Sequence, residues 1–193
     1  MNKIPLKCKC GSVQGTLTLS SPDVGNHVVC YCEDCQAFAR HLSDSKDILD
    51  EWGGTEIYQT APWNVIFHAG HDQVSCLRLT RKGLYRWYAG CCQTPIGNTL
   101  SAKVPFVGLI HSFINAGDQA ESLLGPIRGY HKLESAKGKV PSSVLDKGMP
   151  LGTTILVFWR LLKWKLTGGK KPNPFFTADG KCISRPRVVD ADA

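Results

Sequence analysis

The chain has 193 residues, which fits one domain of ordinary size and is long enough to bury a hydrophobic core without the help of a metal. Nine residues are cysteines, and this odd number excludes a complete set of disulfide pairs. Residues 101–193 account for the whole net charge of +7, because they hold 14 basic and 7 acidic side chains, whereas residues 1–100 hold nine of each.

The amino-terminal residues, Met1 to Lys7, contain no apolar run of signal-peptide length. No stretch of the chain approaches the roughly 20 apolar residues that span a bilayer. The sequence therefore predicts a soluble, cytoplasmic protein without a transmembrane segment. Because cysteines in a reducing compartment seldom persist as disulfides, close cysteine spacing there indicates metal or redox chemistry.

The amino-terminal half is predicted to form short strands separated by turns. Residues 13–19 alternate apolar and polar side chains and are rich in threonine, which is typical of a half-buried strand. Further strands are predicted at 27–31, 56–60, 64–68, 73–79 and 84–88. A brief helix is predicted at 36–42, and Ser43, Asp44 and Ser45 offer a cap for another turn. This succession favours an antiparallel, mainly β fold.

The carboxy-terminal half contains the strongest helix signal of the chain, at about 153–167. Before it, residues 104–114 predict one or two more strands, and 117–146 is polar and loop-like, with modest helical potential at 119–124. Apolar residues of the predicted helix recur at helical spacing and form a single stripe. They are Ile155, Phe158, Trp159, Leu162 and Leu166. Gly168 and Gly169 are predicted to end the helix.

We therefore divide the chain into a cysteine-rich β domain, residues 1–115, and a basic carboxy-terminal extension with one amphipathic helix, residues 116–193. Phe175 and Phe176 are predicted to anchor the end of this extension on the domain. Basic residues surround the helix: Arg160, Lys163, Lys165, Lys170 and Lys171.

The basic helix has two interpretations. In the first, it lies on an anionic membrane surface or follows a phosphate backbone. In the second, which we favour, it is an ordinary helix that packs its apolar stripe on the same domain or on the second subunit of a homodimer, with its lysines in solvent.

The sharpest local motif is Cys30-Tyr31-Cys32-Glu33-Asp34-Cys35. Residues i and i+2 of an extended segment face the same side, so Cys30 and Cys32 can approach one ion, and a two-residue gap to Cys35 is usual for zinc. A zinc ion with three protein ligands keeps a position open. Three thiolates also make it a weak Lewis acid, which favours binding of a soft ligand such as a substrate thiolate.

Cys8-Lys9-Cys10-Gly11 is a second closely spaced pair, and its glycine permits a tight backbone turn at the sulfurs. Cys91 and Cys92 form the remaining thiol cluster and are the natural complement. Adjacent residues of a strand point to opposite faces, so both can ligate one ion only if the backbone turns between them.

Three motifs, in chain order, resemble the glutathione-dependent formaldehyde-activating enzyme family. They are Cys8-x-Cys10-Gly11, then Cys30-x-Cys32-x-x-Cys35, then the segment from Arg86 to Pro95 with Cys91-Cys92-Gln93-Thr94-Pro95. The likeness covers about residues 6–100. It implies a β-tent, a fold of several small antiparallel sheets that hold zinc. It also implies a carbon–sulfur lyase reaction, in which formaldehyde and glutathione equilibrate with S-hydroxymethylglutathione.

The resemblance implies one or two zinc ions per chain. A catalytic zinc would bind Cys30, Cys32 and Cys35, and a structural zinc would bind Cys8 and Cys10 with a later pair. At that pair the family has Cys-x-x-Cys before Gly-Thr-Pro. Cys92 matches the second cysteine, but Ala89 stands where the first is expected. Either Cys91 supplies the fourth ligand, or the site is empty or altered.

Two hypotheses on function follow. In the first, the protein is a zinc enzyme, a carbon–sulfur lyase that acts on a small thiol or a thiol adduct, with glutathione as the substrate that the resemblance implies. In the second, zinc is only structural and the module binds a macromolecule, with nucleic acid favoured by the positive charge.

Overall fold

The computed structural model describes residues 1–42, 45–168 and 172–189. Several predicted features lie outside these residues. They are the caps at Ser43 and Asp44, the helix stop at Gly169 and the basic side chains of Lys170 and Lys171.

Strands dominate the described chain, so the mainly β prediction is confirmed. The strands are β1 Asn2–Lys7, β2 Gln14–Leu19, β3 Asn26–Cys30, β4 Thr55–Thr60, β5 Val65–Ala69, β6 Val74–Arg78, β7 Tyr85–Ala89, β8 Pro95–Ser101, β9 Val104–Ile110, β10 Tyr130–His131 and β11 Arg187–Val188. The α-helices are α1 Glu33–His41, α2 Ala120–Leu124, α3 Ser142–Lys147 and α4 Leu151–Gly168.

The strands form two sheets. The smaller sheet has the order β1-β2-β5, and the larger one has the order β10-β3-β4-β9-β8-β7-β6-β11. Neighbouring strands are antiparallel except at the two edges of the larger sheet, where β10 pairs with β3 and β11 with β6 in parallel. The expectation of antiparallel pairing throughout is therefore wrong at these edges, because both edge strands come from the distant carboxy-terminal part of the chain.

Strand β8 was not predicted from the sequence, because it contains Gly97 and Asn98, which are depleted in strands. The strand also buries the hydroxyl of Thr99. The polar side chains are buried nonetheless, since each has a partner on β7. Trp87 Nε1 donates to Thr99 Oγ1 at 2.9 Å, and Arg86 Nη1 donates to Asn98 Oδ1 at 3.4 Å. Because these hydrogen bonds replace those that the side chains would make with water, burying them costs little free energy.

The end of the chain belongs to the main core. Phe175 is fully buried and lies 5.2 Å from Trp87 and 5.6 Å from Phe67 between ring centroids. Phe176 is also buried and meets the ring of Tyr85 edge-on at 5.3 Å. The predicted anchoring role of both phenylalanines is confirmed. The domain boundary at residue 115 stays a prediction.

Helix α4 is close to its predicted bounds, but the expectation that its stripe packs on the same domain is wrong. Most of the stripe is exposed, and the opposite face, with Trp164 and Gly168, is buried against the domain. Gly168 permits this contact, because a Cβ atom there would lie 2.7 Å from the ring of Trp63. Apolar residues occur all round α4, so their periodicity alone does not select the inner face.

Helix α2 lies where the sequence shows modest helical potential, at 119–124, whereas α3 was not predicted. Both are short, five and six residues, and each ends at a glycine with positive φ, Gly125 and Gly148. Within the described parts of the chain, no helix combines the length and the apolar composition needed to cross a membrane.

Candidate metal centres

The first candidate centre is a three-sulfur cluster where strand β3 ends and helix α1 begins. Cys30 is the last residue of β3, Cys32 is the N-cap of α1, and Cys35 lies in its first turn. Their three Sγ atoms all lie within 4.8 Å of one another. The backbone N–H of Cys35 donates to Cys32 Sγ at 3.4 Å, so the helix turn itself orients the cluster.

The surroundings of this cluster favour negative charge. The amino terminus of α1 contributes a partial positive charge. Hydrogen bonds with the other two cysteines, first with Cys30, lower the pKa of Cys32 to about 2, and contacts with Cys32 and Cys35 raise the pKa of Cys30. The cluster therefore holds a thiolate at neutral pH, and a thiolate is the form of cysteine that binds metals.

Arg86 is the cation nearest to the cluster, and it is fully buried. Its Nη1 lies 3.9 Å from Cys35 Sγ, and the guanidinium is held by Asn98 Oδ1 at 3.4 Å and Asp34 Oδ2 at 3.3 Å. The guanidinium also lies over the ring of Phe38, 5.4 Å from its centroid. This fixed charge offsets part of the excess negative charge that three thiolates bring to a divalent cation.

A cavity of about 350 Å³ opens beside the three sulfurs. Strands β3, β4, β7, β8 and β9 and the amino-terminal half of α4 all contribute to its walls. The cavity is lined by all three cysteines of the cluster and by Val28, Asp34, Ile57, Gln59, Leu84, Arg86, Asn98, Phe106, Gly108, His131, Met149, Thr154 and Val157. A small molecule in this cavity can therefore contact the three cysteines.

Sequence reasoning did not identify four polar residues of this cavity as part of the site. They are Gln59, Arg86, Asn98 and His131. Gln59 is notable because its Oε1 is buried without a hydrogen-bond partner. A signal existed only for Arg86, a charged residue inside the apolar strand pattern of 84–88. His131 reaches the cavity because β10 pairs with β3, which sets it beside Cys30.

The second candidate centre brings together Cys8, Cys10, Cys91 and Cys92, whose four Sγ atoms lie within 4.8 Å of one another. The Sγ–Sγ distances are 3.6 Å for Cys8–Cys10, 3.3 Å for Cys10–Cys91, 3.9 Å for Cys8–Cys91 and 3.9 Å for Cys91–Cys92. Four sulfurs at about 2.3 Å from a tetrahedral zinc are separated by about 3.8 Å. Contact with Ser12 lowers the pKa of Cys10 to about 6.

A turn between β7 and β8 places both vicinal cysteines in this centre. The N–H of Gln93 donates to the Ala89 carbonyl at 2.7 Å, and the N–H of Ala89 donates to the Thr94 carbonyl at 2.8 Å. Gln93 adopts a positive φ of 57°. The backbone thus turns at Cys91 and Cys92, which is the condition for both to serve one ion, while Ala89 is buried in the core.

The loop after β1 supplies the other half of this centre. Gly11 has a φ of +79° and donates its N–H to the Cys8 carbonyl at 2.9 Å, which closes a tight turn. The Val13 N–H then donates to Cys8 Sγ at 3.2 Å, and the Lys9 N–H donates to Thr94 Oγ1 at 3.0 Å. The two loops are therefore joined by a hydrogen bond as well as by the converging sulfurs.

The two centres differ in what they can do. Either group of cysteines can hold a metal ion, and all-sulfur donors favour soft or borderline metals such as zinc, copper(I) or iron in clusters. Four sulfurs can fill the coordination shell of a tetrahedral ion, which is typical of a structural site. Three sulfurs would leave one coordination position open, and here all three cysteines line a cavity. Cys76 and Cys182 belong to neither group.

Comparison with known proteins gives a family but no activity. No curated protein matches the chain. A family model described as "Family of unknown function (DUF6151)" matches residues 1–185, which is nearly the whole chain. The chain therefore belongs to the family of unknown function DUF6151.

Proposed function

We propose that the protein is a zinc-dependent carbon–sulfur lyase that acts on a thiol adduct at Cys30, Cys32 and Cys35. The observation that carries this proposal is the opening of a three-sulfur cluster into a cavity. Among the metals that thiolates select, zinc suits a lyase because it has no redox chemistry. The resemblance to glutathione-dependent formaldehyde-activating enzymes supports the same reaction, and a β-tent that holds two zinc ions is part of the proposal.

The proposed reaction is the cleavage of a hemithioacetal into an aldehyde and a thiol. The carbon–sulfur bond breaks, its electron pair stays on the sulfur, and the hydroxyl proton leaves as the carbonyl forms. Atoms and electrons balance without an oxidant. Zinc, when bound, would stabilise the thiolate that leaves.

Residues that line the cavity bind the substrate hydroxyl, accept its proton and balance the charge of the sulfurs. Gln59 Oε1, which has no other partner, accepts the hydrogen bond of the substrate hydroxyl. As the carbonyl forms, the hydroxyl breaks its hydrogen bond to Gln59 and gives its proton to the His131 imidazole, which lines the same cavity. The fixed charge of Arg86 offsets the negative charge of the sulfurs. Apolar walls exclude water from the reacting carbon.

The alternative, a non-catalytic zinc module that binds nucleic acid, depends on net charge alone. A cavity at the sulfur cluster is a more specific observation, and we therefore place the function there. Zinc-loaded protein that bound duplex DNA with a steep salt dependence and left hemithioacetal exchange unchanged would reverse this choice.

The reaction is tested by NMR exchange spectroscopy on a mixture of formaldehyde and glutathione. The wild-type protein is expected to speed exchange between glutathione and S-hydroxymethylglutathione, and Cys32→Ser is expected to remove at least nine-tenths of this rate. Cys76→Ser, a change at a buried cysteine outside both groups, is the matched control. Equal rates with and without the wild-type protein contradict the proposal for this substrate.

Elemental analysis tests the number of sites. We expect two zinc ions per wild-type chain, and one in each of the variants Cys32→Ser and Cys92→Ser. A single zinc that is lost only in Cys92→Ser would contradict a metal at the three-sulfur cluster, and with it the proposed reaction.

A further inference from the structure

The cavity beside the three-sulfur cluster is far larger than formaldehyde. Its volume of about 350 Å³ lies within the range of about 300–1,000 Å³ that is usual for sites that enclose small organic molecules. In a formaldehyde adduct the carbon that bears the sulfur carries only hydrogen atoms and a hydroxyl, so it places no apolar group against the cavity walls. The walls include Val28, Ile57, Phe106, Met149 and Val157, which offer an apolar surface opposite the sulfurs.

The charges of the cavity do not complement a highly charged ligand. The guanidinium of Arg86 is engaged by Asp34, Asn98 and the Sγ atom of Cys35, so it is committed to the sulfur cluster and not to a carboxylate of glutathione. The acceptors Asp34 and Asn98 already receive hydrogen bonds from Arg86, at 3.3 and 3.4 Å. The rest of the wall is mainly apolar, with Gln59 and His131 as its other acceptors. An apolar group fits these walls better, since its burial releases water from them.

We propose that the cavity holds an apolar organic group on the carbon that bears the substrate sulfur. The preferred adduct is then a hemithioacetal of an apolar aldehyde of several carbons, and the formaldehyde adduct is still cleaved but is bound less tightly. This inference rests on the proposed function and adds the substrate class. The bond changes are those of the lyase step above, with the apolar group against Phe106 and Val157 and the hydroxyl at Gln59.

Cobalt-substituted protein provides a test that does not depend on activity. Alkanethiols place an alkyl chain on the carbon next to sulfur, where such a hemithioacetal bears its apolar group. Ethanethiol, butanethiol and hexanethiol are titrated while the visible bands of cobalt are recorded. Each added methylene is expected to tighten binding by about fourfold, the factor for burial of one methylene.

Val157→Phe fills part of the cavity from α4. In this variant hexanethiol is expected to bind no more tightly than ethanethiol, and ethanethiol is still expected to bind. Ile155→Phe, the same kind of change on the exposed face of the same helix, is the matched control and is expected to behave as wild type. Equal affinity for all three thiols, or a gain that persists in Val157→Phe, overturns the apolar pocket and leaves the proposed function standing. A cobalt spectrum that responds to no thiol, glutathione included, overturns the proposed function itself.

A separate observation concerns the outward face of helix α4. Its exposed fractions are 75% for Leu151, 64% for Phe158, 61% for Trp159 and 76% for Leu166, and Ile155 is also exposed. Five large apolar side chains thus lie in solvent on one face of one helix. Contiguous apolar surface of this kind marks an interaction site in soluble proteins.

The charges of α4 distinguish between possible occupants of this face. The helix has no acidic residue, and its basic residues are Arg160, Lys163 and Lys165. Arg160 turns inward and donates to the carbonyl of Gly25 and to the side chain of Asn26. Lys163 and Lys165 are exposed. A second copy seated on the same face would bring like charges together, whereas an anionic surface complements them.

We infer that this face of α4 lies on an anionic lipid surface. Aromatic and aliphatic side chains would enter the boundary of the bilayer while the two lysines contact lipid phosphates. The contact is independent of the lyase proposal, because Thr154 and Val157 line the cavity from the other side of the helix.

Vesicle co-sedimentation tests this surface. Wild-type protein is expected to bind vesicles that contain phosphatidylglycerol and to bind pure phosphatidylcholine vesicles at least tenfold more weakly. The double variant Phe158→Ser, Trp159→Ser is expected to lose binding, and Leu145→Ser, at an exposed apolar residue of α3, is expected to keep it. No binding to anionic vesicles overturns the inference. A dimer in sedimentation equilibrium that the double variant abolishes assigns the face to a second copy and also overturns it.

Discussion

Single residues decide whether the four-sulfur centre is complete. Ala89 is buried in β7 and offers no ligand atom, but Cys91 lies two residues further on, in the turn, with its Sγ 3.3 Å from that of Cys10. The vicinal pair can thus supply two ligands without the usual two-residue gap. Whether both cysteines can bind one ion therefore depends on the backbone turn between them and not on their spacing in the sequence.

The ligand role of Cys91 leads to a direct prediction. Cys91→Ser is expected to weaken metal binding at this centre by at least tenfold, because a neutral hydroxyl replaces a thiolate. Competition with a chromogenic chelator measures the affinity of each site. Cys182→Ser, at a cysteine outside both groups, is the control. Unchanged affinity in Cys91→Ser would show that three sulfurs suffice.

His27 and Glu56 form a second pair of interacting residues, with His27 Nε2 2.8 Å from Glu56 Oε1. Burial opposes the charge of His27, but its hydrogen bonds to Glu56 and to the Gly125 carbonyl outweigh it and raise the pKa of His27. The hydrogen bond from His27 lowers the pKa of Glu56. Glu121 and His111 are the other titratable groups that act on this pair.

The two pKa shifts predict how stability depends on pH. The His27 contribution is complete below its unfolded pKa of about 6.5 and is lost as pH rises through the raised folded pKa. The Glu56 contribution is complete above about 4.5 and is lost as pH falls through the lowered one. The difference in the free energy of unfolding between wild type and His27→Gln is therefore expected to be larger at pH 5.5 than at pH 8.5. At pH 5.5 both contributions are present, and at pH 8.5 that of His27 is reduced.

Urea unfolding at both pH values measures this gap. His68→Gln, at an exposed histidine of β5, is the control and is expected to show the same gap from wild type at both values. A gap for His27→Gln that does not shrink at the higher pH would show that the pair adds nothing to stability through its charges.

At the scale of elements, helix α4 makes two separate contacts with the rest of the fold. Trp164 and Gly168 hold its carboxy-terminal half against Trp63, and Val157 turns its amino-terminal half toward the sulfur cavity. The apolar stripe identified from the sequence lies on neither of these contacts. Docking of α4 therefore depends on a few inward residues and leaves its other face available.

Two tryptophans of α4 provide a matched test of this packing. Trp164→Ala is expected to lower the free energy of unfolding by about 3 kcal/mol, because a buried aromatic ring is lost. Trp159→Ala removes the same atoms from the exposed face and is expected to change it by less than about 0.5 kcal/mol. Denaturant unfolding followed by circular dichroism measures both. Equal costs would contradict the orientation of the helix.

At the scale of the whole molecule, the carboxy-terminal extension completes the fold. Strands β10 and β11 form the two edges of the larger sheet, and Phe175 fills the core between Phe67 and Trp87. Residues 1–115 therefore share their sheet and their core with later segments.

This arrangement predicts a large effect of a change near the end of the chain. Phe175→Ala is expected to lower the free energy of unfolding by about 3–5 kcal/mol, since the ring is fully buried among aromatic neighbours. Phe106→Ala, at a partly buried ring of the cavity wall, is expected to cost less. Thermal and denaturant unfolding measure both variants, and a small effect of Phe175→Ala would mean that the tail is dispensable.

Much of the fold could be predicted from local pattern. Strands β2 to β7 and β9 were found within a few residues, because alternation and turn residues are local signals. Strand β8 was not found, because its polar residues are buried by partners on β7 such as Arg86 and Trp87. Short edge strands such as β10 were not found either, since pairing with a distant strand creates them.

The sequence by itself determined the mainly β class, the candidate thiol clusters and the existence of a long apolar helix, because spacing and periodicity act within a few residues. The tertiary structure decided which thiols converge, since four sulfurs from two distant loops meet only after folding. It also set Arg86, Gln59 and His131 around the three-sulfur cluster and turned the apolar stripe of α4 outward. These are outcomes of strand pairing and helix docking, which bring together residues far apart in the chain.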